Sequence, residues 1–186
     1  MKRAFPNYMK IKGWRLFEAL FLISFIVLVD MGSKWLALKY ISPMSRASSI
    51  FPYDGIGIFQ NFFGMDFSLN LVFNKGMAWG LFSHQPQLLL VFRLLLILSL
   101  FLFIFFKNEK RSHDFPLIMI FSGAVGNVVD FLLHGYVVDI FYFNFWGYSP
   151  FAIFNVADFF ISIGILFVIL QSFLPKLNEY TRFSPY

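Results

Sequence analysis

Two acidic residues border or interrupt long apolar runs, Asp139 in HGYVVDIFYF and Asp158 in FAIFNVADFF. Burying a charged side chain in hydrocarbon costs about 3 kcal/mol or more, so each carboxylate is a candidate functional residue. Two carboxylates held close together do not both ionise readily, so one keeps a proton while the other acts as a base. Such a pair can activate water and protonate a leaving amine, as in aspartic proteases. From the residues alone, catalytic and structural roles both stay open.

Further polar residues stand near apolar runs at helical spacing. Asp30 and Lys34 are four apart, Asn127 and Asp130 are three apart, and Asn155 precedes Asp158 by three. Residues at these spacings share a helix face. The opposite charges of Asp30 and Lys34 favour a structural tie. The two amides can both donate and accept hydrogen bonds, which suits structural support as well as substrate contact.

Other kinds of chemistry find little support in this sequence. The chain has no cysteine, which excludes disulfides, thiolate nucleophiles and cysteine-ligated metals. Its histidines, His84, His113 and His134, are scattered and form no H-E-x-x-H pair, and no G-x-S-x-G elbow occurs. We therefore expect no metal site and no cofactor.

The composition is that of a membrane protein. Of 186 residues, 59% are hydrophobic and 13% are charged, whereas about a quarter are charged in soluble domains. The length suggests one domain, residues 1–186. Apolar windows of about 20 residues cross a bilayer as helices. We predict four transmembrane helices, at about 14–32, 88–106, 115–133 and 151–174.

The basic residues predict the orientation of these helices. Lys and Arg crowd the N-terminus and the segment KNEKRSHD between the second and third helices. By the positive-inside rule, both termini are cytoplasmic, and a nucleic-acid surface is the less favoured explanation of the charge. The polar residues then converge near the outer face. A cleavable signal peptide in place of the first helix is disfavoured, because the small residues at Ser45–Ala47 lie well beyond the apolar run.

The first outer connection, at about 44–87, is long enough to hold structure of its own. Residues 67–73 partly alternate between apolar and polar, which predicts a short strand. The glycines of NKGMAWG favour a turn directly after it. We expect a small β-rich platform on the outer leaflet.

Five blocks, in order, resemble the lipoprotein signal peptidases (signal peptidase II), the bacterial intramembrane aspartyl peptidases. They are VDMGSKWLAL, LVFNKGMAWGLF, SGAVGNVVD, HGYVVDIFYF and FAIFNVADFFISIG. The resemblance implies an all-α membrane protein of four transmembrane helices with a small periplasmic β-cradle and an amphipathic element. It also implies cleavage of diacylglyceryl-modified prolipoproteins before their lipidated cysteine, at the outer face of the bacterial inner membrane. The expected partners are these substrates and membrane lipids, and the expected state is a globomycin-sensitive monomer.

The same resemblance implies roles for individual residues. Asp139 and Asp158 match the catalytic pair. The residues expected to bind substrate or to support the pair are Asn74, Gly76, Asn127, Asp130, Asn155, Asp30 and Lys34.

Two departures from the family pattern occur. Met31 and Gly32 replace more polar residues after Asp30, which is tolerable, and the other departure is Phe131.

Phe131 stands where the family usually has arginine, so Asp130 lacks the adjacent partner that the family provides. Lys34 or water could pair with Asp130, or its carboxyl could be neutral. This departure is the feature that favours a catalytically inactive membrane scaffold. A small proton-coupled transporter is the other alternative, although a relay needs polar residues across the whole membrane and the inner half has few beyond Glu18.

Overall fold

The computed structural model describes residues 13–45, 51–76, 81–82, 84–107, 114–147 and 152–182. Four helices and three strands make up this part of the chain. In order they are α1 (Gly13–Tyr40), β1 (Ile56–Phe62), β2 (Met65–Asn74), α2 (Pro86–Leu102), α3 (Asp114–His134), β3 (Val137–Phe145) and α4 (Val156–Arg182). A π-helical turn, Phe103–Lys107, follows α2. All four α-helices are long and apolar enough to cross a membrane.

The helix bounds confirm the four predicted spans, with three differences. First, α1 continues to Tyr40, although we predicted an end near residue 32. The prediction stopped where charged residues interrupt the apolar run. The helix continues because Asp30 and Lys34 are both buried and form an ion pair of 2.8 Å.

The second difference concerns the start of α4. We predicted that residues 151–155 are helical, but the helix begins at Val156. Phe154 instead forms an isolated antiparallel bridge with Phe141 of β3. Asn155 therefore lies just before the helix and Asp158 lies in its first turn, whereas the predicted span 151–174 placed both of them inside the helix. The third difference is the end of α4, which lies at Arg182 although we predicted residue 174.

The strands form one antiparallel sheet in the order β1-β2-β3. The predicted strand at 67–73 lies within β2, which confirms it. The strand that carries Asp139, β3, was not predicted, because its run VVDIFYFNF is almost continuously apolar and shows no alternation. In the register, Val72 pairs with Asp139 and Asn74 pairs with Val137. The described part of the 44–87 connection contains no amphipathic helix, and residues 46–50, 77–80 and 83 lie outside the described residues.

A small apolar core fixes the sheet to the end of α1. Ala37 of α1 and Ile41, the residue after the end of this helix, pack with Leu71 of β2 and with Val138 and Ile140 of β3. All five are buried. The sheet therefore lies at the C-terminal end of α1, the end nearer to Asp30 and Lys34.

The helix α3 is central and packs against α1, α2 and α4. Over half of its apolar window is buried, compared with less than a fifth for the other three spans. Small residues allow this packing. A Cβ atom at Gly126 would lie 2.9 Å from Asp30 Oδ2, and one at Gly123 would overlap the carbonyl oxygen of Ala157. Because these two positions are glycines, α3 can approach α1 and α4 closely.

Candidate active site

Asp139 is a buried carboxylate on β3, with 2% of its surface exposed. Its Oδ2 accepts a hydrogen bond of 2.9 Å from Asn74 Nδ2 on the neighbouring strand. Its Oδ1 accepts one of 2.8 Å from Asn155 Nδ2. Because each oxygen is bonded to a different element, the carboxylate is fixed between the sheet and the start of α4.

Asp158 is held by the cap of its own helix. Its backbone N–H donates to Asn155 Oδ1 at 3.0 Å, and its Oδ2 accepts from the Asn155 backbone N–H at 3.3 Å. This reciprocal pair has the form of a capping box. Its Oδ1 accepts a third bond, of 2.8 Å, from Asn127 Nδ2 on α3. The sequence folds this way because Asn is a preferred residue directly before a helix.

Asp139 and Asp158 share one hydrogen-bond partner, Asn155, and line one cavity. The Asn155 side chain bonds to Asp139, and its backbone bonds to Asp158. Both carboxylates line a cavity of about 570 Å³. Its wall is mainly apolar and includes Phe143, Phe154, Phe159, Ile153 and Ile161. An apolar cavity with a few convergent polar groups is typical of a binding or active site.

The surroundings of Asp139 favour its protonated form. Burial, and then the negative charge of Asp158, raise the pKa of Asp139 to about 7, although hydrogen bonds from Asn74 and Asn155 act in the opposite direction. Neighbouring carboxylates titrate as a pair. Near neutral pH the two can therefore share one proton, as acid–base catalysis by two carboxylates requires.

Lys34 connects these groups to α1 and α3. Its Nζ lies 2.8 Å from Asp30 Oδ2, 3.3 Å from Asp130 Oδ2 and 3.1 Å from Asn127 Oδ1. The contact with Asn127 is a hydrogen bond, and the two contacts with carboxylates are ion pairs. Asp30 also accepts a bond of 2.9 Å from the backbone N–H of Ala157 in α4. The expected tie between Asp30 and Lys34 thus extends to α3 and α4.

Asp130 has partners despite the phenylalanine that follows it. Lys34 is one of them, as one of our alternatives proposed. The backbone N–H of Val138 donates to Asp130 Oδ2 at 2.7 Å, and His134 Nδ1 lies 2.9 Å from Oδ1. We missed His134 as a partner, although its spacing of four from Asp130 on one helix was a usable signal.

The backbone of Gly76 is hydrogen-bonded to two residues that line the same cavity as Asp139 and Asp158. Its N–H donates to Asn74 Oδ1 at 2.9 Å, and its carbonyl oxygen accepts from Arg93 Nη2 at 2.8 Å. Arg93 lines the same cavity and was missed by our sequence reasoning. It is the single charged residue of α2, and a lone charge in a membrane span is itself a signal of function.

All nine residues singled out from the sequence belong to one hydrogen-bond and ion-pair network. They are Asp30, Lys34, Asn74, Gly76, Asn127, Asp130, Asp139, Asn155 and Asp158. Among the described residues, no group of His, Asp and Glu side chains has an arrangement that could hold a metal ion.

The fold and the site define a multi-pass membrane protein with paired carboxylates at an apolar cavity. The chain belongs to the signal peptidase II family: the family model described as signal peptidase (SPase) II matches residues 22–174. It is therefore a lipoprotein-processing protease, in a family whose proteases are of the aspartyl type. Membership of this family does not favour the two alternative functions, a catalytically inactive membrane scaffold and a small proton-coupled transporter.

Curated relatives agree with this assignment. The chain is 35% identical over 167 residues to a lipoprotein signal peptidase of Chlamydia felis (strain Fe/C-56), covering 87% of this chain and 95% of the relative. It is 38% identical over 154 residues to one of Chlamydia trachomatis serovar L2, covering 81% and 88%.

Solved structures share the fold. A bacterial membrane enzyme determined by the in meso method at 2.3 Å resolution aligns with a TM-score of 0.66 and 22% identity, over 91% of this chain and 93% of that one. A second such structure, at 1.9 Å resolution, gives a TM-score of 0.66 and 24% identity, over 90% and 97%.

Proposed function

We propose that this protease removes the signal peptide from diacylglyceryl-modified prolipoproteins by cutting on the N-terminal side of the lipidated cysteine. Asp139 and Asp158 are its catalytic pair. The observation that carries this assignment is that Asn155 bonds both carboxylates while both line one cavity. Two carboxylates that share one proton provide a general base and a general acid together.

The pair can perform peptide hydrolysis without a covalent intermediate. The ionised carboxylate takes a proton from water, whose oxygen forms a bond to the scissile carbonyl carbon. The protonated carboxylate donates its proton to the carbonyl oxygen. The carbon–nitrogen bond then breaks as the leaving nitrogen takes a proton from the pair. One hydroxyl of the tetrahedral intermediate gives its proton to the other carboxylate as the carbonyl re-forms, so the one-proton state is restored. Because the pair titrates jointly, acid and base are roles of the pair.

The supporting residues divide into two groups by their contacts. Asn74, Asn127 and Asn155 each donate to a carboxylate and orient it. Asp30, Lys34 and Asp130 lie behind them and hold α1, α3 and α4 together. Gly76 places a backbone carbonyl and N–H next to Asn74, at the edge of the cavity. Catalytic groups need supporting contacts of this kind to stay in productive geometry.

Charge and fold support the proposed membrane placement. Basic segments stand before α1 and between α2 and α3, so we propose that those ends and both termini are cytoplasmic and that the sheet and the carboxylates lie near the outer face of the inner membrane. The apolar cavity there suits a lipid-anchored substrate that arrives laterally. We further propose that the chain is one domain, acts as a monomer among membrane lipids, binds no nucleic acid, and is inhibited by globomycin at this cavity.

The test uses detergent-solubilised protein and a purified diacylglyceryl-prolipoprotein. Wild type should cleave it, and Asp139→Asn and Asp158→Asn should each lose at least about 1,000-fold in rate, because Asn keeps the shape but cannot exchange the proton. Asp54→Asn, at an exposed turn residue, is the matched control and should cleave normally.

Three further results would bear on the proposal. Globomycin should block cleavage by wild type and by the control variant. The unlipidated precursor should be a poor substrate. Substantial cleavage by either folded variant, Asp139→Asn or Asp158→Asn, would refute the assignment of the pair.

A further inference from the structure

Arg93 is a charged residue in an otherwise apolar membrane span, and its partners lie at the active site. It is the single charged residue of α2, in PQLLLVFRLLLILSLFL. Its Nη2 donates a hydrogen bond of 2.8 Å to the carbonyl oxygen of Gly76, and its guanidinium lies 6.0 Å from the ring centre of Phe131. A charge in a membrane span is costly and is usually retained for function.

A continuous series of hydrogen bonds leads from this guanidinium to the catalytic pair. Arg93 donates to the Gly76 carbonyl, the Gly76 N–H donates to Asn74 Oδ1 at 2.9 Å, and Asn74 Nδ2 donates to Asp139 Oδ2 at 2.9 Å. An amide has one oxygen and one nitrogen end. Because the oxygen of Asn74 faces the Gly76 N–H, its nitrogen faces Asp139.

The position of Gly76 therefore sets the position of Asn74. Gly76 lies two residues past the end of β2, outside the sheet ladder. Arg93 bonds the segment there to α2. Since Arg93 also lines the cavity with both carboxylates, it places a positive charge in the same space as their negative charge.

We propose that Arg93 is a positioning residue of the peptidase, which orients Asp139 through Gly76 and Asn74. This inference rests on the proposed function. It gives α2, which contributes no other charged residue, a part in the active site.

The first test compares substitutions at this position by steady-state cleavage of diacylglyceryl-prolipoprotein. Arg93→Met keeps the apolar length and removes the donors, and it should lower kcat/KM by about 100-fold, mainly through kcat. Arg93→Lys should stay within about 10-fold of wild type, because one ammonium can replace the single bond to Gly76. Ser99→Ala, on the same helix, is the control and should leave both constants unchanged.

A double-mutant cycle separates positioning from a general effect on folding. If Arg93 acts through Asn74, then Arg93→Met combined with Asn74→Ala should be no slower than Asn74→Ala alone. Two independent defects would multiply their rate losses. Thermal unfolding of each variant in detergent identifies variants that are not folded, and only folded variants enter the cycle.

The outcomes are distinct. A kcat of Arg93→Met within about 3-fold of wild type, or multiplied losses in the cycle, would overturn this inference and leave the catalytic pair standing. An equal loss in Arg93→Lys and Arg93→Met would also overturn it. If wild type itself does not cleave, the proposed function fails before the role of Arg93 arises.

Discussion

Asn155 and Asp158 hydrogen-bond each other in both directions across the first turn of α4, at 3.0 and 3.3 Å. The hydrogen bonds that cap the start of α4 therefore also orient the carboxylate of Asp158. The Asn155 side chain reaches the other carboxylate, Asp139, at 2.8 Å. Helix initiation and site geometry depend on the same residue.

Replacing Asn155 by alanine should therefore affect both activity and stability. We expect kcat/KM to fall by about 100-fold, since both carboxylates lose a fixed contact. We expect the free energy of unfolding to fall by about 1–2 kcal/mol from loss of the cap. Cleavage kinetics and thermal unfolding in detergent measure the two effects.

The control for that variant is Asn144→Ala. Asn144 is a buried amide that bonds to Asp66, on the sheet. Its removal should lower stability while leaving kcat close to the wild-type value. Equal losses of kcat in the two variants would show that Asn155 has no special part in the site.

The pH profile of cleavage should fall on the alkaline side of neutrality. The pKa of Asp139 is raised to about 7, so the pair keeps its proton below that pH and loses it above. Without that proton the pair has no general acid, and kcat/KM should decline as pH rises through about 7. Initial rates between about pH 5 and 9 test this, and a rate that still rises at the alkaline end would contradict it.

Lys34 should matter more for stability than any other lysine of α1 that the structure describes. Lys34→Met leaves Asp30 and Asp130 buried without their shared cation, which should cost about 3–5 kcal/mol. Lys39→Met is the matched control, since Lys39 is exposed above the rings of Trp35 and Tyr40. Its loss should cost less than about 1 kcal/mol.

The two lysine variants are compared by thermal unfolding in the same detergent. Equal unfolding midpoints would mean that the buried ion pairs contribute no more than a surface contact.

The close contact of α3 with α4 can be tested at Gly123. A Cβ atom there would overlap the Ala157 carbonyl oxygen and the Ile161 side chain. Gly123→Ala should therefore lower the free energy of unfolding by about 1–3 kcal/mol. Gly32→Ala is the control, because no atom lies within 4 Å of a Cβ at that position.

The control variant should be neutral or slightly stabilising, since alanine favours helix over glycine by about 1 kcal/mol. Thermal unfolding compares the two alanine variants, and a stable Gly123→Ala protein would show that α3 and α4 can separate without loss.

Much of the fold could be predicted because it depends on local composition. Apolar runs predicted all four spans, and the outer bounds of α3 were within one residue at each end. The predicted end of α1 and the predicted start of α4 were wrong for a common reason. At Asp30 and at Asn155, contacts with distant elements decided whether the backbone stayed helical, and local pattern does not contain those contacts.

The site shows the same division. Type and spacing singled out Asp139, Asp158 and the residues around them, because carboxylates and amides are rare in apolar runs. The roles of Arg93 and His134 were missed because they depend on partners. Arg93 bonds Gly76, which lies outside its own helix, and His134 contacts Asp130 one turn earlier in α3.

The sequence by itself determined the class of this protein, its membrane spans and the residue types available for chemistry, because hydrophobicity and charge are properties of each residue. Only the tertiary structure decided that β3 lies beside β2, that Asn155 joins the two carboxylates, and that α2 contributes a cation. The physical reason is that hydrogen bonds and ion pairs act over about 3 Å, so they depend on which distant segments the packing brings into contact.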